Sequence, residues 1–437
     1  MALSLETLAQ KIPPAVTELL KRLHQSGFQA FMVGGSVRDL LRGETPKDFD
    51  VATSARPEQV QKLFRKVIPT GIDHGTVTVL SGGLSVEVTT FRSEGKYEDG
   101  RRPSEVRFES DLDLDLSRRD FTINAMAFDP VSAMLRDPFD GQRDLLGRCV
   151  RTVGQAIDRF SEDGLRPLRA VRFATVLGFE IEPQTEAAIS RTLPVFRKVA
   201  GERVREELGK ILLSPRVGWG VERLGRVGLL AEILPELTHV PGEPGESSLQ
   251  LLSRVPAEWV LRLTALLLPV AGRLPQADPE LGFALADTDA VQRALERLKL
   301  PRQVALDVEK LVQLHPAWSQ REMEPVTVRR MNARAGLQRA EPLARLLRAI
   351  AEAREIPIAP RAWWILLDQI VADPPPLAID RMALNGAAVM RLLGVKPSPV
   401  VGEALRFLLN EVLEDPASNR PDELEQKLKL WASARGL

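Results

Sequence analysis

Asp48 and Asp50, two residues apart in Lys47-Asp-Phe-Asp-Val51, are the side chains of this sequence best placed to do chemistry. On a strand, that spacing turns both carboxylates to one face and Phe49 to the other. Hard oxygen donors so arranged suit Mg2+. Shortly before them, Phe31-Met-Val-Gly-Gly-Ser-Val-Arg-Asp-Leu40 passes from an apolar strand-like run into a helix-like run through Gly34, Gly35 and Ser36. Backbone N–H groups at such a helix start can face phosphate oxygens. A third carboxylate, Glu87 in Ser85-Val-Glu-Val-Thr-Thr-Phe91, shares a face with Thr89 by period-two alternation and is expected opposite Asp48 and Asp50. Three carboxylates on neighbouring strands suit two Mg2+ ions, one activating an attacking hydroxyl and one neutralising a triphosphate and its leaving pyrophosphate. Taken singly, an Asp-x-Asp and a strand Glu read better as solubility charges on an edge strand. Behind a Gly-Gly-Ser turn they point to nucleotidyl transfer from a nucleoside triphosphate.

Two further clusters extend this chemistry. In Ser117-Arg-Arg-Asp-Phe-Thr-Ile-Asn-Ala-Met126, Arg119 is suited to clamp a triphosphate, and Asn124 or Asp120 to bind ribose or fix the backbone. The same residues also read as a helix cap with solvated arginines. In Ser161-Glu-Asp-Gly-Leu-Arg-Pro-Leu-Arg-Ala-Val-Arg-Phe173, residues Asp163, Arg166, Arg169 and Arg172 recur every three positions, a stripe winding slowly round one helix face. A carboxylate accepts from the exocyclic amine of cytosine or adenine, while a guanidinium donates to the adjacent ring nitrogen. Uracil and guanine present the reverse pattern. An Asp163/Arg166 pair side by side would admit CTP and ATP and reject UTP and GTP without a template, leaving Arg169 and Arg172 for phosphates or for holding the pair. An intrahelical salt-bridge ladder is the competing reading. Gly164 and Pro167 weaken a regular helix here, so a capped turn is expected at its start.

The elements that must position these residues follow from the hydrophobic pattern. Short β-branched runs at Ala30 to Val33, Phe49 to Ala52, Val77 to Leu80, Leu84 to Phe91 and Glu105 to Phe108 alternate with helical stretches near Leu5 to Gln25 and Pro57 to Phe64. From about Gln155 onward the spacing is helical and little strand signal remains, so an α/β domain followed by an all-helical remainder is predicted. Pro241 to Ser248 and Ala372-Asp-Pro-Pro-Pro are the clearest breaks, with a weaker one at Leu274 to Glu280. They suggest boundaries near residues 150, 225 and 345. The polar run Arg92 to Ser104 is expected to be a loop beside the carboxylates that closes during nucleotide selection, or a plain solvated loop.

Composition narrows the partners. Lys+Arg and Asp+Glu both total 59 in 437 residues, so nucleic-acid binding must use clustered rather than general positive charge. One cysteine, Cys149, excludes an intramolecular disulfide, and the four histidines lack cysteine neighbours that would make a zinc site. The first ten residues do not read as a signal peptide, and the longest apolar run, Leu263 to Gly272, is far shorter than the ~20 residues of a membrane helix. A cytoplasmic protein without a membrane partner is expected. No feature of the sequence assigns an oligomeric state.

Assembled, these segments resemble the bacterial (class II) tRNA nucleotidyltransferases, the CCA-adding enzymes, and their poly(A) polymerase relatives. Gly34-Gly-Ser-Val-Arg38 with Asp48-Phe-Asp50 is similar to the family's catalytic motif, Arg118 to Ala125 to its ribose and triphosphate motif, and Glu162-Asp163 with Arg166 to its base-selecting motif. The resemblance implies that Asp48 and Asp50 bind Mg2+, with Glu87 assisting. It implies that Gly34, Gly35, Ser36, Arg38, Arg119, Asp120, Asn124, Glu162, Asp163, Arg166, Arg169 and Arg172 bind or orient the nucleotide. It also implies an α+β fold: a nucleotidyltransferase head at 1–150, then an all-α neck at 151–225 bearing the base-selecting motif, a body at 226–345 and a tRNA-gripping tail at 346–437. Arg203 to Pro215 resembles a neck helix, and Leu384-Asn-Gly386 with Gly394 to Gly402 the tail. The partners implied are tRNA, CTP and ATP. Ala265-Leu-Leu-Leu-Pro269, where some relatives carry a His-Asp phosphohydrolase, has neither residue, so no phosphatase activity is expected.

Three rivals remain at this level. Poly(A) polymerases typically end in a strongly basic extension, whereas Glu411 to Leu437 is mixed in charge; Thr70 to Val79 also resembles the CCA-adding form. An enzyme adding only CC is disfavoured by the intact Lys96 to Pro103 segment, while one adding only A stays open. A catalytically inactive RNA-binding relative is disfavoured by the complete set Asp48, Asp50 and Glu87.

Overall fold

The computed structural model describes residues 4–94, 106–239, 246–274, 276–320, 322–354 and 362–437 of the chain. These form two compact units, Met1–Ile233 and Leu234–Leu437. The expected α+β class is what is found: a sheet near the N-terminus, then helices.

In the first unit the strands are β1 (Ala30–Val33), β2 (Phe49–Thr53), β3 (Val67–Gly71), β4 (Thr76–Ser81), β5 (Leu84–Thr90), β6 (Arg92–Glu94), β7 (Val106–Phe108), β8 (Ala127–Asp129) and β9 (Met134–Arg136). Seven of them make one mixed sheet in the order β3-β4-β5-β2-β1-β8-β9, and β6 pairs only with β7. β1 is buried along its whole length, as its continuous Ala-Phe-Met-Val run requires. β2 runs antiparallel to β1 and parallel to β5, which sets Val33 beside Asp50 and Asp50 beside Glu87. Along β5, Val86, Val88 and Thr90 are buried while Glu87 faces out, the alternation that period two predicts.

Several expected elements change in detail. The single helix foreseen over Leu5 to Gln25 is two, Leu5–Gln10 and Pro14–Gln25. Pro14 starts the second at the first helical position, where its missing N–H costs nothing. β8 and β9 are three-residue strands without β-branched residues, and β3 is a mostly exposed strand interrupted by Pro69, so none of the three stood out in the pattern. The segment after residue 155 is not wholly helical: Glu180–Ile181 pairs parallel with Cys149–Val150, and Gly272–Arg273 pairs with Ala286–Asp287. Two-residue strands leave almost no sequence signal.

The neighbouring helices of the first unit are Ala156–Glu162, Arg166–Leu177, Pro183–Arg191 and Gly201–Leu212. The expected break at Gly164 is present, and a Cβ there would lie 2.7 Å from the Val195 carbonyl oxygen, so only glycine permits that approach. The Arg166–Leu177 helix ends at Gly178 in the left-handed conformation (φ 74°).

The second unit is helical around apolar seams, among them Leu408, Val412, Leu424, Leu428 and Trp431. The Ala372-Asp-Pro-Pro-Pro break ends the Ala362–Ala372 helix as expected. Most of the Pro241 to Ser248 break, and residues 95–105 of the loop expected to move, lie outside the described residues. Among the described residues no helix is long and apolar enough to cross a membrane.

Candidate active site

Gly34 is where the chain turns from β1 into the Gly35–Leu41 helix, with φ 74° and ψ −132°, a conformation closed to side-chain-bearing residues. A Cβ at Gly34 would also stand 3.0 Å from Arg119 Nη1. The backbone conformation requires glycine, and the close approach sets it against the Arg119 guanidinium. Gly34 and Gly35 open onto a cavity of about 620 Å3 that Asp48, Asp50, Arg38, Arg119, Asp120, Asn124, Asp163, Arg166, Arg169 and Arg172 also line. Residues from four separate stretches of sequence thus meet in one space. Ser36 and Glu162 are not part of that lining. The Ser36 hydroxyl is buried and donates to the Val33 carbonyl at 3.1 Å, closing the turn.

Asp50 lies on β2, whereas Asp48 precedes the strand in a bend and is exposed, so the two do not alternate on one strand as expected. Both nevertheless reach the cavity. Burial first, and then the charge of Glu87 on the adjoining strand, push the Asp50 carboxyl above its ordinary value; Arg119 pulls it down and Asp48 adds a smaller push. Among the described residues no three His, Cys, Asp or Glu side chains gather closely enough to enclose a metal ion. The donor set is a pair of carboxylates with a third nearby and excess negative charge. That fits a divalent cation of the kind held by one or two carboxylates and completed by water and substrate phosphates.

The opposite wall consists of arginines, each resting on an acceptor. Asp120 is buried: Oδ2 accepts from Arg169 Nε (2.8 Å) and Nη2 (2.6 Å), and Oδ1 from Asn124 Nδ2 (3.1 Å) and the Phe121 N–H (2.9 Å). Asn124 Oδ1 in turn accepts from Arg38 Nη1 at 2.7 Å. Burial alone would raise the Asp120 carboxyl, but Arg169, Asn124 and Arg166 outweigh it and bring it to about 2. Asp120 and Asn124 therefore fix arginines. Arg172 donates to the buried Glu207 at 2.7 Å. Arg38, Arg169 and Arg172 all stand over the Phe173 ring, at 5.2, 5.3 and 3.5 Å from its centroid.

The expected Asp163/Arg166 pair is not a pair here. Asp163 sits in the turn before the Arg166–Leu177 helix and takes both Nη groups of Arg203, at 3.2 and 2.8 Å, plus the Leu165 N–H at 3.0 Å. Arg166 donates to Glu162 (2.5 Å), to the Arg159 carbonyl (3.1 Å) and to the Arg118 carbonyl (3.0 Å). A turn at Gly164 separates the two side chains, so a three-residue spacing does not make them neighbours as it would within a helix. Both still face the same cavity. Asp115, Arg203, Glu207, Lys210 and Phe173 complete the site and were not singled out from sequence. Only Asp115 had a local signal, three and four positions before Arg118 and Arg119.

A mixed sheet carrying an Asp-x-Asp beside a Gly-Gly turn, facing an arginine wall across one cavity, defines a nucleotidyltransferase. The family models agree: residues 30–151 match the poly A polymerase head domain, 178–240 the RNA and SrmB-binding site of polymerase A, and 281–428 the tRNA nucleotidyltransferase domain 2. The chain is 34% identical over 416 residues, 93% of its length and 94% of the relative's, to a CCA-adding enzyme of Geobacillus stearothermophilus. It is 34% identical over 420 residues to one from Limosilactobacillus fermentum, covering 95% and 96% of the two chains. The crystal structure of the Bacillus stearothermophilus CCA-adding enzyme in complex with CTP superposes with a TM-score of 0.74 at 31% identity, over 97% of this chain and 99% of that one. The chain belongs to the CCA-adding enzyme family.

Proposed function

We propose that this protein adds the 3'-terminal CCA of tRNA from CTP and ATP, one nucleotide at a time, without a nucleic-acid template and with release of pyrophosphate. The observation that carries this reading is that the carboxylate pair Asp48/Asp50 and the base-reading candidates Asp163 and Arg166 line one cavity. One site can then hold the triphosphate at its catalytic end and test the base at the other. We assign domains as a head at 1–150, a neck at 151–225, a body at 226–345 and a tRNA-binding tail at 346–437, acting in the cytoplasm where charged and uncharged tRNA circulate.

Asp48 and Asp50 would hold the metal, which we take to be Mg2+, with Glu87 beside them. Bound there, it would polarise the α-phosphate, activate the tRNA 3'-hydroxyl and neutralise the leaving pyrophosphate. Arg119, with its neighbours Gly34 and Gly35, faces the triphosphate. Arg38, Arg169 and Arg172 hold the wall in place through Asn124, Asp120 and Glu207. At the base end, Asp163, held in place by Arg203, accepts from an exocyclic amine. Arg166 has three of its five N–H donors engaged by Glu162, Arg159 and Arg118, so others are left for a ring nitrogen. Cytosine and adenine satisfy both groups; uracil and guanine set carbonyl against carboxylate and N–H against guanidinium.

The test is product sequencing. tRNAs ending before C, after C and after CC are incubated with each nucleoside triphosphate in turn. Full CCA addition is expected. Addition of A to the third substrate alone, or long A tails, would replace this reading with an A-adding enzyme or a poly(A) polymerase.

A further inference from the structure

Asp115 is the one fully buried carboxylate at the edge of this site for which the mechanism so far has no use. It lies on the Leu112–Ser117 helix, with none of its side chain exposed. Oδ1 accepts from Arg118 Nη2 at 2.7 Å and Nε at 3.1 Å, and from the Arg92 backbone N–H at 3.4 Å; Oδ2 accepts from Arg119 Nη2 at 3.1 Å. Helical spacing explains the geometry, since residues three and four apart share a face. Burial would raise this carboxyl, but Arg119 and Arg118 together hold it below its ordinary value. Arg118 and Arg119 line the nucleotide cavity, while Asp115 does not. Arg119 Nε is buried without a hydrogen-bond partner, so the carboxylate is the anchor that fixes the direction of that guanidinium.

We infer that Asp115 is a positioning residue for nucleotidyl transfer: it clamps Arg118 and Arg119 from behind, aiming Arg119 at the triphosphate and lowering the positive charge the wall presents to it. The inference rests on the assignment of Arg119 to the triphosphate. Two consequences follow from the charge and the geometry. Without the anchor, Arg119 rotates freely and loses the alignment needed in the transition state, so turnover falls. Without the negative charge, the wall attracts polyphosphate more strongly, so ground-state binding of triphosphate and pyrophosphate tightens. A role confined to folding produces neither effect.

The experiment compares wild type, Asp115→Asn, Asp115→Glu, Arg119→Ala and the Asp115→Asn/Arg119→Ala double variant, using full-length protein, a tRNA lacking CCA, and CTP or ATP. Thermal midpoints are measured alongside. Asp115→Asn is expected to lower kcat about 10- to 100-fold, as a misplaced group does. Its KM for CTP and ATP should not rise, and pyrophosphate should inhibit it more strongly than wild type. Asp115→Glu keeps the charge and shifts the carboxylate, so kcat falls while pyrophosphate inhibition stays at the wild-type level. In the Arg119→Ala background, adding Asp115→Asn should lower kcat by clearly less than it does in the wild type, because one of the two arginines that Asp115 clamps is already gone and only Arg118 remains. Unchanged kcat in both single Asp115 variants, or a KM increase with unaltered pyrophosphate inhibition, overturns the inference. Arg119→Ala with wild-type kinetics would instead overturn the underlying assignment of Arg119, which keeps the two failures distinct. If Asp115→Asn does not yield folded protein, Asp115→Glu and its pyrophosphate inhibition decide alone.

Discussion

Across the nucleotide cavity, the carboxylate wall and the arginine wall treat charge in opposite ways. At the sheet, Asp50 and Glu87 on neighbouring strands and Asp48 in the bend before β2 crowd like charges together, and Asp50 is pushed above its ordinary value with only Arg119 pulling against the trend. On the facing wall, Arg38, Arg166, Arg169 and Arg172 on helices and Arg119 in the bend after one each reach an acceptor, and Asp120 is pulled down to about 2 by the arginines round it. The difference teaches which charges the protein completes by itself. The arginine wall is assembled before any ligand arrives, so it costs no reorganisation during reaction. The carboxylate wall is left electrically unfinished, a state that a cation and a triphosphate relieve together.

This contrast is broken most severely by removing a carboxylate on the unfinished side. Asp50→Asn should cut kcat/KM for CMP and AMP incorporation by about 10^3-fold or more, the several kcal/mol that a lost cation ligand represents. Its thermal midpoint, measured without divalent cations, should equal or exceed that of wild type. The sign follows from the raised Asp50 carboxyl: a folded state that disfavours the ionised form is stabilised when the charge is removed. A lower midpoint with residual activity would mean that Asp50 is an ordinary structural charge.

A smaller effect sharpens the other side. The Asp120 carboxyl falls from 3.8 to about 2 on folding, so it contributes stability above pH 4 that disappears as pH drops towards 2. The size is about 2 kcal/mol. Denaturant unfolding of wild type and Asp120→Asn from pH 6 to pH 2 should show two curves that converge at the acid end. Parallel curves would deny the Asp120 to Arg169 linkage its weight.

The carboxylate wall was largely readable in the sequence, because its residues are placed by rules of short range. Strand alternation put Glu87 on the right face, and Gly34 announced the turn that only glycine makes. Asp48 was misplaced because it was read as alternating with Asp50 on the strand, whereas the strand begins at Phe49 and Asp48 lies in the bend before it. The arginine wall was readable as a set of residues and not as a set of partnerships. Asp163 and Arg166 share a spacing that means contact in a helix, yet the chain turns at Gly164. Asp163 instead meets Arg203, forty residues on, and Arg172 meets Glu207 across two helices. Pairings between elements depend on how helices pack, which no local pattern encodes. Asp115 was overlooked for another reason: in Leu112-Asp-Leu-Asp-Leu116 it looks like a surface charge, and burial reveals it as an anchor.

The central claim is that the cavity chooses its nucleotide with protein side chains. The direct measurement is kcat/KM for all four nucleoside triphosphates on one tRNA acceptor, for wild type, Asp163→Ala and Arg166→Ala. Both variants should narrow the preference for CTP and ATP over UTP and GTP by about 10- to 100-fold, the loss expected when a hydrogen-bonding discriminator is removed. Preserved selectivity in both, whatever the loss in overall rate, would contradict the account.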